Sequence, residues 1–374
     1  MINRIKQVCS AFRIRGELQS YEEIKCGHIN QTYKVDFIRD DGKKKSYIVQ
    51  AINTNVFRDP VRVMHNIDLV TEHLHVKAPD KKALHFHHTA DRKTYWIGAD
   101  GFWRLFNYIP SRTYDCSSDC EIVRNAGRAF GTFQQMLGDF DVGLLYETIP
   151  LFHDTVERYK SLMNAVESDP VHRVSVVQEE LNWLLEVQEQ ACRLTHMQRD
   201  GSLPIRVTHN DTKINNVLFE ENGKDAIVVI DLDTVMPGLV GHDFGDAIRS
   251  AANTAAEDCL ELDKVHIDLN VFRSFTDGFL NQMAGSLIEK ELNTLAKSSF
   301  CMTCELAVRF LTDYLQGDTY FKVDYPAHNL VRTRSQIALA KDMLKNMPIM
   351  EHVVTECAKK NVVETDRITR EWLI

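Results

Sequence analysis

Long apolar runs are missing from this sequence. No stretch of about 18 apolar residues occurs, and the opening Met-Ile-Asn-Arg-Ile-Lys-Gln-Val has no apolar core of the kind a secretory leader carries. The expectation is a soluble, cytoplasmic chain with no membrane partner. A basic excess is missing as well: 44 Lys and Arg stand against 53 Asp and Glu, a formal net charge of -9. Nucleic acids and anionic membranes both favour a basic surface, so neither is expected as the main partner. A phosphorylated ligand stays open, because it needs only a local positive or backbone-donor site. The nine cysteines are scattered and odd in number, which suits free thiols in a reducing compartment better than a disulfide framework. Cys301-Met302-Thr303-Cys304 has no second pair to complete a zinc site and reads as packing, and the run His85, His87 and His88 has no further ligand nearby. Internal repeats and low-complexity linkers are also lacking.

What is present is ordinary globular composition. The 374 residues, 44% hydrophobic and 26% charged, are enough for a sizeable core and two lobes. The first hundred residues read as β-rich: Tyr21 to Cys26, Thr32 to Ile38 and Ser46 to Ile52 cluster β-branched and aromatic residues, with Asp40-Asp41-Gly42 as a hairpin signal. Pro60 opens a helix to about His75, and Lys93–Ile97 with Phe102–Tyr108 forms another strand pair. Beyond Ile109-Pro110, helical periodicity dominates, over about 119–139, 154–166, 175–196, 267–284, 287–315 and 328–346. One β island interrupts it: Val217–Phe219, a turn at Glu221–Lys224, then Ala226–Ile230. The charged stretch 356–371 reads as a solvated terminal helix or tail. The expected class is α+β, with a small β-rich lobe over 1–106 and a larger helical lobe over 107–374.

Polar clusters flank that island. Thr208-His209-Asn210-Asp211-Thr212-Lys213-Ile214-Asn215-Asn216 precedes it, and Ile230-Asp231-Leu232-Asp233 follows. Phosphoryl transfer calls for a carboxylate to orient the attacking hydroxyl and accept its proton, and for hard oxygen ligands to hold Mg²⁺. A lone Asp here would more often cap a turn. Asp211, a five-residue step to Asn216, a hairpin and then a strand-end Asp231 make that reading about one in ten.

His209-Asn210-Asp211 with Asn216 resembles the catalytic loop of aminoglycoside phosphotransferases and choline kinases, a relative of the protein-kinase H-R-D-x-x-x-x-N loop. The resemblance implies a protein-kinase-like bilobal fold with 1–106 as the nucleotide-binding lobe, ATP as co-substrate, Asp211 as base, and Asn216 and Asp231 as Mg²⁺ ligands. A literal Asp243-Phe244-Gly245 also occurs, but it lies 32 residues beyond Asp211 and opens a helix over His242–Ala256, whereas Asp231 lies 20 beyond, directly after the hairpin. Asp243 is expected to cap that helix and to bond back to the loop.

In the same frame, Gly27-His28-Ile29-Asn30 stands where a kinase places its phosphate-covering loop, and Phe106-Asn107-Tyr108-Ile109 where adenine is read. Gln50 replaces the third-strand lysine that pairs the phosphates. Either Mg²⁺ and another cation compensate, or nucleotide binding is weak. Nucleotide contacts are assigned to Gly27, Gln50, Phe106 and Tyr108.

Longer stretches resemble the N-acetylhexosamine 1-kinase group: Gly27–Tyr33, Tyr47–Gln50 with Asn53–Phe57, Thr208–Asn216, Ile230–Gly238, Arg309–Phe321 and His328–Arg334. That likeness implies phosphorylation of the anomeric hydroxyl of an N-acetylhexosamine, N-acetylglucosamine or N-acetylgalactosamine, with Arg309, Tyr320, His28 and Asn30 at the sugar. Gly317-Asp318 places the end of the Arg309 helix before Tyr320. Arg309 has a plain alternative as an ion pair with Asp313 at i+4. Choline, aminoglycoside and homoserine kinases share the scaffold, and a nucleotide-binding pseudokinase module is the rival from another class. A monomer is the working expectation, which nothing in the sequence derives.

Overall fold

A computed structural model describes residues 1–24 and 29–371, with side chains through residue 361. Gly27 and His28 lie outside the described residues. In chain order the elements are α1 (Ile2–Ala11), β1 (Glu17–Ile24), β2 (Gln31–Ile38), β3 (Lys44–Ile52), α2 (Pro60–Lys77), β4 (Tyr95–Gly98) and β5 (Gly101–Asn107). There follow α3 (Cys120–Met136), α4 (Thr155–Ser168), α5 (Gln178–Glu186), α6 (Gln188–Ala191), α7 (Arg193–Arg199), β6 (Arg206–Thr208), β7 (Val217–Phe219), β8 (Ala226–Val229) and β9 (Met236–Gly238). The chain closes with α8 (Val240–Ala251), α9 (Leu269–Met283), α10 (Glu289–Leu292), α11 (Leu295–Leu315) and α12 (His328–Glu371). This is the expected α+β class, sheet-rich in its N-terminal part and helical in its C-terminal part. Among the described residues no helix is long and apolar enough to cross a membrane.

The residues sort into two compact units. One holds Met1–Arg112, Gly143–Ile149 and Ile230–Met236; the other holds Thr113–Val142, Pro150–Val229 and Pro237–Ile374. The first is built on an antiparallel sheet in the order β1-β2-β3-β5-β4. Alternation along β2 and β3 sends Tyr33, Val35, Phe37, Tyr47 and Val49 to one face, where Ile5, Val8, Cys9 and Phe12 of the α1 segment cover them. The opposite face carries a cross-strand row, Thr32 on β2, Gln50 on β3 and Arg104 on β5, which the register places side by side. The helix at Pro60 forms as expected, with Asp59 accepting from the Arg62 N–H as its cap.

The helical unit packs around a core of Tyr159, Leu162, Leu181, Leu184, Phe300, Val308 and Leu311 with their neighbours. The helix expected over 175–196 is broken into α5, α6 and α7, and the breaks keep Leu181, Leu184, Ala191 and Leu194 on this core. Residues 287–315 divide into α10 and α11, and the terminal helix runs on to Glu371 through Pro348. Cys301 and Cys304 are buried in the core, and burial pushes the Cys301 thiol up to about 12. Helices α3 and α9 meet backbone to backbone: a Cβ on Gly278 would stand 2.0 Å from the Arg124 carbonyl oxygen, and one on Gly127 2.3 Å from that of Phe275.

Candidate active site

In the helical unit, β6 ends at Thr208 and the chain turns through Asn210, held at φ 64°, to present Asp211. A non-glycine residue in that region marks a backbone fixed by its surroundings. A single 3₁₀ turn, Ile214–Asn216, then brings Asn216 back onto Asp211 before β7 begins. The Asn216 Nδ2 donates to the Asp211 carbonyl at 2.8 Å and to its carboxylate at 3.2 Å, leaving the amide oxygen as a donor for a cation. Lys213 Nζ lies 3.2 Å from the other Asp211 carboxylate oxygen. Burial alone would raise the Asp211 carboxyl. The charges of Lys213 and His209 and the bonds from Lys213 and Asn216 outweigh it, so the group sits below the usual range and is ionised at neutral pH. Lys213 escaped the sequence reading, although its place two residues after Asp211 in the same loop was visible.

Two carboxylates from α8 hold this loop. Asp243 is 1% exposed and accepts from the backbone N–H of His209 at 2.9 Å and of Asn210 at 2.7 Å, and from Gln134. Asp246 accepts from the Thr212 N–H at 3.1 Å, and the Thr212 hydroxyl donates to the Asp243 carbonyl at 2.5 Å. The expected bonds back to the loop are therefore present, but Asp243 does not cap the helix: α8 starts at Val240 with Leu239 in the cap position, so Asp243 stands inside its first turn. The rest of the triplet is structural. Phe244 packs among Phe272, Phe275 and Phe279, and a Cβ on Gly245 would stand 2.5 Å from the Ser298 carbonyl oxygen. His153 supports the loop as well. Its Nδ1 lies 2.9 Å from buried Glu305, whose other oxygen accepts from Thr155, and its Nε2 lies 3.4 Å from the Asn210 carbonyl. Burial would raise the Glu305 carboxyl, but His153, Arg309 and Arg158 bring it down to about 2. Nothing in the sequence joined residues so far apart.

Asp231 belongs to the sheet-bearing unit. It is exposed, sits at φ 60° and ψ 58°, and precedes the 3₁₀ turn Leu232–Thr234. Asp233, two residues on, is 3% exposed and ion-paired with Arg104, which is equally buried. Asn30 Nδ2 donates to the other Asp233 oxygen at 2.6 Å, while Asn30 Oδ1 accepts from the Asn53 N–H at 2.9 Å. Gln50 spends both ends of its amide within the sheet: Oε1 accepts from Arg104 Nε at 2.9 Å and Nη2 at 2.6 Å, and Nε2 donates to the Thr32 hydroxyl at 2.9 Å. Phe106 packs on Phe86, and Lys34 lies over the Tyr108 ring. The Asn107 and Tyr108 N–H groups donate to His85 and Ser46 carbonyls. Arg104 and Asp233 were missed, although a charge inside Gly-Phe-Trp-Arg-Leu-Phe is a readable anomaly.

The expected sugar residues of the helical unit come together. Helix α11 ends at Leu315, and Gly317 and Asp318 turn the chain with positive φ. Asp313 then collects the N–H groups of Thr319, Tyr320 and Phe321 at 2.7–2.9 Å. That use of Asp313 replaces the ion pair with Arg309. Among the described residues Arg309 makes no hydrogen bond or ion pair; its guanidinium lies over the rings of Phe152, Phe321 and Tyr320 at 5.2, 5.6 and 5.9 Å. Tyr320 is 61% exposed.

Asn216 in the helical unit offers an amide oxygen and Asp231 in the sheet-bearing unit a carboxylate, both hard donors of the kind Mg²⁺ takes; among the described residues no group of three or more His, Cys, Asp or Glu could hold a metal ion.

Solved structures share this architecture. A microcompartment-associated aminopropanol kinase superposes with a TM-score of 0.64 at 14% identity, covering 94% of this chain and 99% of its own. A choline kinase from Cryptosporidium parvum Iowa II gives 0.59 at 12%, covering 94% and 99%. An aminoglycoside phosphotransferase from Alicyclobacillus acidocaldarius gives 0.59 at 11%, covering 94% and 96%. These likenesses establish the fold. Residues 20–266, which contain the loop and its hairpin, match the phosphotransferase enzyme family. The chain belongs to that family of phosphotransferases.

Proposed function

We propose that the protein transfers the γ-phosphoryl group of ATP to the anomeric hydroxyl of N-acetylglucosamine or N-acetylgalactosamine, giving the sugar 1-phosphate and ADP. Asp211 orients the hydroxyl and takes its proton as the oxygen–phosphorus bond forms and the bond to the ADP oxygen breaks. Its depressed pKa keeps it an acceptor at neutral pH. Lys213 fixes the carboxylate from one side and Asn216 from the other. Asn216, through its amide oxygen, and Asp231, through its carboxylate, would hold Mg²⁺, which offsets phosphate charge when bound.

The acceptor reading rests on Arg309. An arginine that makes no hydrogen bond among the described residues, set over aromatic rings beside exposed Tyr320, offers planar donors and an apolar surface together, the combination an uncharged sugar needs. The same rings would suit a quaternary ammonium, but the guanidinium already covers them. Fold alone does not choose among acceptors, and the likeness to the N-acetylhexosamine 1-kinase motifs supports the sugar.

The test is ADP release from Mg-ATP with N-acetylglucosamine, N-acetylgalactosamine, glucose, choline and kanamycin, with ³¹P NMR of any product. An anomeric phosphate on an N-acetylhexosamine is the expected result. Turnover only with choline or kanamycin would overturn the acceptor, and nucleotide binding without turnover of any acceptor would favour a pseudokinase module. Arg309→Ala should raise the sugar's KM well above any change in that of ATP; equal changes would argue against a sugar contact.

A further inference from the structure

Asp231 carries its carboxylate on a left-handed backbone, a conformation that side-chain-bearing residues adopt only when the surroundings impose it. Two residues later Asp233 is locked from both sides, by the Arg104 guanidinium on one oxygen and by the Asn30 amide on the other. Arg104 is oriented in turn by two bonds to Gln50, and Gln50 by its bond to Thr32. The row Thr32–Gln50–Arg104 crosses three adjacent strands. It thus runs from the middle of the sheet to the turn Leu232–Thr234, and Asn30 ties the same carboxylate to Asn53 at the end of β3. Every group in this chain lies within the sheet-bearing unit.

Kinases ordinarily place a lysine on the third strand, where its charge meets nucleotide phosphates and a helix glutamate. Here the third-strand residue is Gln50, and the buried cation comes from the next strand, aimed at an aspartate of the Asp231 turn. A buried ion pair with further hydrogen bonds fixes geometry more firmly than it adds stability.

We propose that Arg104 and Asp233 are positioning residues for Asp231, and that Gln50 serves to orient Arg104 rather than to contact phosphate. Through this row the sheet sets the direction of the carboxylate that receives the cation. The inference rests on the reading of Asp231 as a magnesium ligand but not on the identity of the acceptor.

The test is calorimetric binding of ADP in Mg²⁺ and in EDTA, without acceptor, on wild type, Asp233→Asn, Arg104→Met, the double variant and Gln50→Lys, each checked for a cooperative melt. In wild type Mg²⁺ should tighten ADP binding. Asp233→Asn and Arg104→Met should each reduce that tightening about tenfold, the scale seen when a partner of a metal ligand is removed, with binding in EDTA changed less than about twofold. The double variant should lose no more than the worse single variant; it removes both buried charges, so it reports even where Arg104→Met fails to fold. Gln50→Lys should also weaken the Mg²⁺ effect. Full Mg²⁺ tightening in folded variants would overturn the proposal, as would a wild type whose ADP binding ignores Mg²⁺, or tighter binding of metal-free ADP by Gln50→Lys. Failure of every sugar to turn over, with the Mg²⁺ pattern intact, would sink the sugar kinase reading and leave this one standing.

Discussion

Asp243 and Asp233 are buried to nearly the same degree, at 1% and 3% exposure, and each secures a segment that carries a carboxylate of the proposed reaction. Their partners differ. Asp243 meets neutral donors, two backbone N–H groups and an amide, from the first turn of a helix whose dipole favours an anion there. Burial still raises its carboxyl above the usual range. Asp233 meets a guanidinium. The first grips the main chain of the catalytic loop directly, so the loop's shape follows from helix α8. The second grips a turn through a charge, so its hold depends on the partner being there. A backbone grip tolerates neutralisation better than an ion pair tolerates loss of one ion.

Four substitutions sharpen this contrast. Neither aspartate reacts, so Asp211→Asn should have the largest effect on rate, lowering kcat by about 10²–10⁴ while the melting temperature holds; more than about a tenth of activity remaining would contradict its role as base. Asp233→Ala, which strands the Arg104 charge, should cost about 3–5 kcal/mol in denaturant unfolding. Asp243→Asn keeps the shape but turns an amide toward N–H donors, and should cost about 1–3 kcal/mol with the Mg²⁺ dependence of ADP binding unchanged. A folded Asp243→Asn protein with wild-type stability and weak Mg²⁺ response would reverse the two assignments. The smallest effect concerns Glu305, which falls from an ordinary 4.5 to about 2 in the folded chain. A depressed carboxyl stabilises above its unfolded value and loses that contribution as pH falls through the folded one. The stability gap between wild type and Glu305→Gln should therefore be full above about pH 4.5 and shrink toward pH 2. A gap independent of pH would show that Glu305 acts by packing alone.

Local features were readable from the residue order. The β2, β3 and β5 strands, the helix at Pro60 and the hairpin carry their own periodicity and turn signals. Asp211 and Asn216 stand close in sequence, and their contact follows from one 3₁₀ turn. Gly317-Asp318 announced the turn that brings Tyr320 under Arg309. Helix α1 was legible but passed over: Ile5, Val8, Cys9 and Phe12 follow the i, i+3, i+4, i+7 spacing of a helix face. Glu305 with His153, and Asp233 with Arg104, could not be read, because 152 and 129 residues separate the partners and the residue order of one chain carries no trace of such pairs. The capping role given to Asp243 failed for a smaller reason. Helix α8 begins two residues earlier than its polar signal, since Val240 and Gly241 enter it without a side-chain cap.

The α3–α9 crossing has a mechanical consequence. Side chains between helices act as compliant spacers, able to change rotamer while their helices slide. At Gly127, Gly131 and Gly278 there is no spacer, and carbonyls of the facing helix fill the gap. Sliding by even a fraction of a turn would drive backbone into backbone. The crossing therefore resists sliding, and relative movement within the helical unit is more easily taken up where side chains separate the helices than here.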